Sequence, residues 1–201
     1  MTSSTGLRDR KKAATRAALS AAAVRLSRVH GLDGVTAEAI AAEADVSTRT
    51  FHNYFASKED AILYQAEASV QEWVDALRAC PEDESIWDSL ERLAVAYVSD
   101  TTRDIEEMCA LPRLIEESPA LMVKTMQMHN NVSRLFGEAL AERTGTDIDS
   151  DLYPNLLQVA IGGAVKTVLE LSISENAQGR TPAQLMTEAL ALIRRGLPQP
   201  N

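Results

Sequence analysis

Hydrogen-bonding side chains are concentrated in one short stretch near the N-terminus of the chain. The string VSTRTFHNYFASK, residues 46–58, combines threonine, arginine, histidine and asparagine with aromatic residues. In a helix, this spacing turns Val46, Phe51, Tyr54 and Phe55 toward a core. It leaves largely on other faces Thr48, Arg49, Thr50, His52 and Asn53. Such side chains bind base edges and phosphates, so the chemistry that the stretch predicts is recognition of double-stranded DNA.

Two short helices joined by a tight turn would position these side chains. Thr36 is suited to cap the first helix, which carries alanines and Ile40, and Ser47 is suited to cap the second. Asp45 lies where the chain must turn, and aspartate tolerates left-handed backbone better than most residues. The stretch therefore predicts a helix-turn-helix, with a DNA-contact set of Thr36, Ser47, Thr48, Arg49, Thr50, His52, Asn53, Tyr54 and Lys58.

These residues resemble the tetracycline-repressor (TetR) family of bacterial regulators. That family typically has a basic first helix, a small-residue second helix, and an aromatic pair followed by Ser-Lys-Glu. In this chain the aromatic pair is Tyr54 and Phe55, and the Ser-Lys-Glu sequence is residues 57–59. The resemblance covers about residues 10 to 65, and Asp45 stands where the family usually has glycine.

The contact set divides into two groups. The better candidates for base edges are Arg49, Thr50 and His52. The resemblance implies that three others contact phosphates and set the register without reading sequence: Thr36, Tyr54 and Lys58. Each has a structural alternative as a helix cap, a core ring or a solvated charge.

The charge distribution indicates a polyanionic partner for the front of the chain only. The 201 residues carry a formal net charge of −9. Residues 1–58 hold nine Lys or Arg against five Asp or Glu, which is +4, whereas residues 59–201 hold eleven against twenty-four, which is −13. The positive potential is therefore confined to the region of the motif.

Helical periodicity extends over almost the whole chain, and no alternating strand pattern is convincing. We predict an all-α protein of about nine helices, including a short one over 102–117. The resemblance implies an N-terminal helix-turn-helix domain and a C-terminal helical domain for ligand binding and dimerisation. The predicted boundaries are a disordered arm over 1–9, the DNA-binding domain over 10–58 and the second domain over 59–201.

The middle helices are rich in soft and aromatic apolar residues. In the family that the N-terminus resembles, this region surrounds a ligand pocket, and flexible methionines suit an adaptable apolar cavity. The segment 118–131 is loosely similar to actinobacterial fatty-acyl-sensing members, which implies a lipophilic effector. The same side chains could instead fill an ordinary core. The candidate pocket residues are Trp73, Leu77, Leu93, Tyr97, Met108, Leu111, Met122, Met126, His129 and Phe136.

We predict a helix that begins at Asp149 or Ser150 and runs to about Glu175. Apolar residues nearly encircle it over 152–174. A helix at the surface of a monomer keeps a polar face, so this one is expected to be covered on two sides. With the last helix it fits the two-fold interface of the resembling family, although a central helix of a monomer is the alternative. The candidate interface residues are Leu157, Ala160, Gly163, Ala164, Thr167, Leu185, Ala189 and Leu192.

Several other classes of protein are disfavoured. Cys80 and Cys109 have no metal-ligand or disulfide spacing, three scattered histidines support no catalytic site, and we expect neither enzyme activity nor a cofactor. The chain lacks a long apolar run or a signal pattern, so we expect a cytoplasmic protein, associated with the nucleoid when bound to its operator. The expected partners are operator DNA, a second copy of the chain and a small effector, with no membrane. The alternatives are a DNA-independent helical interaction protein or an activator on the same fold.

Overall fold

The computed structural model describes residues 3–101, 109, 114–115, 118–174 and 177–199, with side chains from residue 8 onward. Within these ranges the chain is all-helical, as predicted, and has no strand. The predicted helix over 102–117 falls largely outside them. None of the described helices has the length and apolarity needed to cross a membrane. The helices are α1 (Ser3–His30), α2 (Ala37–Glu43), α3 (Thr48–Tyr54), α4 (Lys58–Arg78), α5 (Ile86–Val98), α6 (Pro119–Thr144), α7 (Leu152–Ser172) and α8 (Pro182–Arg194).

The chain divides into two compact units. The first unit comprises residues 1–69 and 110–129, and the second comprises 70–109 and 130–201. The first unit thus includes the start of α4 and of α6, beyond the predicted domain of 10–58. As a consequence, α4 and α6 each have residues in both units.

The core of the first unit is built around small residues of α1. Ala22 and Ala23 are fully buried, which lets neighbouring helices approach closely. Large side chains from α2, α3 and α4 fill the remaining space, with Ile40, Phe51 and Ile62 fully buried in the same cluster. This core fixes the two short helices of the predicted DNA-binding motif on α1.

The core of the second unit lies among α5, α7 and α8, which pack against one another. Leu90 of α5, Ile161 of α7 and Met186 of α8 are buried within one apolar cluster. The two units therefore bury separate sets of side chains.

Capping hydroxyl groups precede several helices, including the two predicted at Thr36 and Ser47. The hydroxyl groups of Thr36, Ser47, Ser85 and Thr181 each accept a hydrogen bond from a backbone N–H in the first turn of the helix that follows. Such caps satisfy donors that the helix leaves unpaired, and each stabilises the fold by about 1 kcal/mol.

Two helix starts differ from the prediction. Helix α1 begins at Ser3 rather than Arg10, within the segment predicted as an arm, because extending an existing helix is much easier than starting one and no proline interrupts this segment. Helix α7 begins at Leu152 after Asp151, rather than at Asp149 or Ser150. The Asp151 carboxylate accepts a hydrogen bond from the Asp147 N–H at 2.8 Å, so it closes the preceding turn and does not cap its own helix.

Two arginines fix the segment between α4 and α5. Arg143 donates hydrogen bonds to the carbonyl oxygens of Cys80 at 3.1 Å, Pro81 at 2.8 Å and Glu84 at 3.0 Å. Arg92 binds the Glu84 carboxylate through two nitrogens, at 2.7 and 3.2 Å. The segment is therefore held from α5 and α6 of its own unit.

This arrangement predicts a loss of stability in acid. The hydrogen bonds from Arg92 and Ser89 lower the pKa of Glu84 to about 2, from its usual 4.5. Because the pKa is depressed in the folded state, the stabilisation is present above about pH 4.5 and is lost as the pH falls toward 2. We expect Glu84→Gln to melt below wild type at pH 7, and the difference in Tm to shrink below pH 4. A constant difference across this range would contradict the role of the carboxylate.

Candidate nucleic-acid interface and ligand-binding residues

The turn between α2 and α3 has the geometry that the sequence predicts. Asp45 adopts a left-handed backbone with φ of +53°. The N–H of Asp45 donates to the Ala42 carbonyl at 3.1 Å, and the N–H of Val46 donates to the Ala41 carbonyl at 2.9 Å. The end of α2 is therefore closed by hydrogen bonds that depend on this conformation.

Substitutions at Asp45 test the backbone requirement. Glycine adopts left-handed backbone freely but loses more entropy on folding, so Asp45→Gly is expected to change stability by less than about 1 kcal/mol. Valine is strongly disfavoured there, and Asp45→Val is expected to cost about 2 kcal/mol or more. Urea denaturation measures both. Equal stability of the two variants would contradict the role of the conformation.

Two aromatic rings orient α3. Phe51 and Phe55 are buried with their ring centroids 5.9 Å apart, which fixes one side of the helix on the core. The opposite side presents Arg49, His52 and Asn53, which are exposed. The structure thus exposes two of the three predicted base-contact candidates, Arg49 and His52, on this helix, whereas the third, Thr50, is half-buried.

The hydroxyl groups of the contact set are partly used within the motif. Ser47 Oγ accepts from the Thr50 N–H at 3.1 Å and shares a hydrogen bond of 2.8 Å with Thr50 Oγ1. Thr36 is exposed and its Oγ1 accepts from the Ala39 N–H at 3.2 Å. Thr48 and Tyr54 are half-buried. The hydroxyl groups of Thr36, Ser47 and Thr50 are consequently held in fixed positions at the starts of α2 and α3.

Lys58 has a structural role that its sequence position does not reveal. Its Nζ donates to the carbonyl oxygens of Leu32 at 2.7 Å and Val35 at 3.0 Å, in the turn between α1 and α2. An ammonium group has three N–H donors, so one donor remains after these two bonds. Lys58 therefore ties the start of α4 to the loop that precedes α2.

A second lysine, which the sequence reasoning missed, reaches the same helix start. Lys124 of α6 donates to Ser57 Oγ at 2.8 Å and also pairs with the Asp60 carboxylate. Burial raises the pKa of Asp60, but the hydrogen bonds from Lys124 and Ser57 outweigh it and hold the pKa below its usual 3.8. No local pattern indicates this pair, because 64 residues separate its members.

The candidate pocket residues are not all in one place. Five lie in the apolar cluster of the second unit, where Trp73 packs edge-on against the rings of Tyr97 and Phe136, with centroids 5.5 and 6.0 Å away. Leu77, which is fully buried, and Leu93 lie in the same cluster. Met108 and Leu111 lie outside the described residues.

The remaining three candidates, on α6, do not face the core. Met122 and Met126 are 48% and 66% exposed, and His129 is exposed. The core-facing side of this part of α6 instead carries Leu121 and, seven residues later, Met128. Because seven residues make about two turns, Met122 and Met126 fall outside that stripe and line no apolar cluster of the described chain.

The candidate interface residues lie on different sides of α7 and α8. Leu157, Ala164 and Leu185 are buried in the core of their own unit, so they leave no free surface for a partner. Ala160, Ala189 and Leu192 are half-buried, whereas Gly163 and Thr167 are exposed. The prediction identified the apolar helices but not which of their sides is free.

The free side of α7 is apolar. Leu156 and Val159 are 64% and 69% exposed, and Leu152 is exposed on the same side. Gly163 continues this row four residues after Val159, and an added Cβ atom there would meet no atom within 4 Å. We call the row of Leu152, Leu156, Val159 and Gly163 the α7 face. An exposed row of apolar residues of this kind is a candidate interaction surface.

Comparisons with known proteins agree with this architecture. Residues 19–63 match the family model described as bacterial regulatory proteins of the tetR family, and residues 84–198 match the MftR C-terminal domain. The HTH-type transcriptional regulator TcmR of Streptomyces glaucescens is 31% identical over 173 residues, which cover 82% of this chain and 75% of TcmR.

Solved structures show the same fold. The fatty acid degradation regulator FadR of Bacillus halodurans superposes with a TM-score of 0.66 at 19% identity, covering 92% of this chain and 97% of FadR. FadR of Thermus thermophilus, in complex with lauroyl-CoA, has a TM-score of 0.58 at 23% identity, covering 92% and 96%. At these identities the likeness is one of fold.

Proposed function

We propose that this chain, which belongs to the TetR family of bacterial transcriptional regulators, binds a palindromic operator as a homodimer and represses transcription until a small lipophilic ligand releases it. The observation that carries the proposal is the polar, solvent-facing side of α3, which is held on a buried pair of phenylalanines. Around it, the first 58 residues carry a net positive charge although the chain as a whole is acidic.

The DNA contacts follow from this surface. Arg49 binds guanine edges in the major groove through a planar guanidinium, while His52 and Asn53 are exposed beside it. Thr36, at the start of α2, and the third N–H of Lys58 contact phosphates and set the register of α3. Lys58 does so while holding the loop before α2.

Homodimerisation is supported by the α7 face. Its exposed apolar side chains would be covered by the same face of a second copy in a two-fold interface. Gly163 lets the two helices approach closely, since it has no side chain to separate them. A two-fold dimer presents two α3 helices to half-sites about 34 to 36 Å apart, which accounts for the palindromic operator.

The proposed effector is a long-chain acyl thioester or a similar lipophilic molecule. Support comes from the aromatic cluster of Trp73, Tyr97 and Phe136 in the second unit and from the lauroyl-CoA bound to the Thermus thermophilus structure. The exposed Met122 and Met126 give this proposal no support in the described chain. Native mass spectrometry of the purified protein with added lauroyl-CoA tests it, and an unshifted mass at millimolar ligand would contradict it.

Release of DNA requires that the ligand favour a second conformation of the DNA-binding unit. Helices α4 and α6 are the candidates to carry this change, because each has residues in both units. Lys124 joins them in the first unit through Ser57 and Asp60. A shift of α6 would therefore act on the start of α4, next to Lys58.

A gel-shift titration tests the DNA-binding proposal. Duplexes from the region upstream of the coding sequence are compared with an unrelated duplex of equal length, at salt concentrations from about 50 to 200 mM. We expect one upstream duplex to bind much more tightly than the unrelated one, with affinity falling steeply as salt rises. Equal binding of all duplexes would contradict the proposal.

A further inference from the structure

We propose that Arg16 forms a DNA-backbone contact on α1, together with Lys12 and Arg8, and that the rings of Phe55 and Tyr64 hold its guanidinium in place. This inference rests on the proposed function and adds to it a surface outside the helix-turn-helix. The recognised chemistry is the phosphate of double-stranded DNA.

The position of the Arg16 guanidinium is set by aromatic rings. Its central carbon lies 4.2 Å from the ring centroid of Tyr64 and 5.4 Å from that of Phe55. The two rings contact each other edge-on, with centroids 5.7 Å apart. A guanidinium that stacks on a ring face keeps the N–H groups at its edge available for hydrogen bonds.

No described residue uses those N–H groups. Within the described ranges, Arg16 makes no ion pair or hydrogen bond, although it is packed against the rings. Arg25 of the same helix provides the contrast, since it pairs with Glu43 at 3.3 Å. Arg16 is therefore an arginine that is already oriented and still lacks an anion.

Two further cations extend the surface along the helix. Arg8 and Lys12 precede Arg16 at intervals of four residues, which is about 6 Å along the axis for each step, and both are exposed. Leu19, which is fully buried, follows Lys12 by seven residues and thus lies on the same side of α1. The side of α1 that is buried from Leu19 onward therefore carries basic residues in the turns that precede Leu19.

This surface suits a phosphate backbone. Arginine binds phosphate through two parallel N–H groups, and a stacked arginine has already lost much of the side-chain freedom that binding would otherwise cost. Phosphate contacts carry no sequence information, but they fix the register of the reading helix. Because Phe55 directly follows α3, the Arg16 contact would fix the position of α3 on the duplex.

The test compares salt dependence among variants. In Arg16→Ala, the slope of log K against log salt is expected to become shallower by about 1.8, because a homodimer loses two phosphate contacts. The affinities for an upstream operator duplex and for an unrelated duplex should fall by the same factor, about tenfold at low salt. Arg25→Ala is the matched control, since Arg25 lies nine residues later, on the opposite side of α1, and its slope should equal that of wild type.

The aromatic support is tested at Tyr64. Tyr64→Phe keeps the ring and is expected to bind as wild type does, whereas Tyr64→Leu should reproduce most of the loss seen in Arg16→Ala. Melting temperatures of all variants exclude unfolding as the cause. If Arg16→Ala keeps the wild-type slope while wild type binds its operator, the inference is wrong and the proposed function stands. If wild type binds neither duplex at any salt, both are wrong.

Discussion

Val159→Asp is expected to convert the dimer into a monomer and to weaken operator binding by about 100-fold or more. Val159 is 69% exposed in the single chain and lies at the centre of the α7 face. In a two-fold interface, the two introduced carboxylates would be buried near each other, which costs several kcal/mol. A monomer cannot bind both half-sites at once. Binding both at once raises the affinity by about 10² to 10⁴.

The measurement is molar mass by light scattering, followed by titration of the operator duplex. Val123→Asp is the matched control, because Val123 is 59% exposed and the substitution is the same, but it lies on α6. We expect this control to remain dimeric and to bind the operator normally. A dimeric Val159→Asp protein, or a monomeric Val123→Asp protein, would contradict the assignment of the interface to the α7 face.

Arg49→Ala and Lys58→Ala are expected to weaken DNA binding in different ways. Loss of a base contact by Arg49 should reduce affinity for the operator by about 1 to 3 kcal/mol per half-site and reduce the preference over unrelated DNA. Lys58→Ala removes two charge-assisted bonds to the carbonyls of Leu32 and Val35, which should cost about 2 kcal/mol of folding stability. It should weaken binding to all duplexes alike.

Urea denaturation and duplex titrations separate the two effects. Arg49 is exposed, so Arg49→Ala should unfold at the wild-type urea concentration. Lys58→Met is the control for the aliphatic part of the lysine side chain and should be as unstable as Lys58→Ala. If Arg49→Ala keeps the wild-type preference for the operator, α3 does not read the sequence as we propose.

The features that the sequence predicted well are those set by neighbours in the chain. Thr36 and Ser47 cap their helices by accepting from the N–H three residues later. In the turn, the N–H of Asp45 binds a carbonyl three residues earlier, and the N–H of Val46 binds one five residues earlier. The family resemblance of residues 54–59 is likewise a local pattern, and the matching family models confirm it.

The features that the sequence did not predict depend on distant contacts. Lys58 binds carbonyls 26 and 23 residues away, and Lys124 reaches Ser57 across 67 residues. Contacts between residues this far apart in the chain leave no periodic pattern in the sequence. The stacking of Arg16 was likewise not predicted, because its ring partners come from the end of α3 and from α4.

The orientation of α7 illustrates a further difficulty. Apolar residues nearly encircle this helix, so periodicity alone does not tell the side that packs in its own unit from the side left free. Leu157 and Ala164 were predicted at the interface and are buried in the core, whereas the exposed Leu156 and Val159 were not chosen. A shift of one residue around a helix turns a side chain by about 100°.

The central claim is that two copies of the chain bind one palindromic operator. Native mass spectrometry of the protein with an operator duplex tests it most directly, using the full palindrome, a single half-site and an unrelated duplex of equal length. We predict two chains on the full palindrome, with affinity at least 100-fold higher than for the unrelated duplex and a steep loss with salt. One chain per palindrome, or equal affinity for all three duplexes, would contradict the claim.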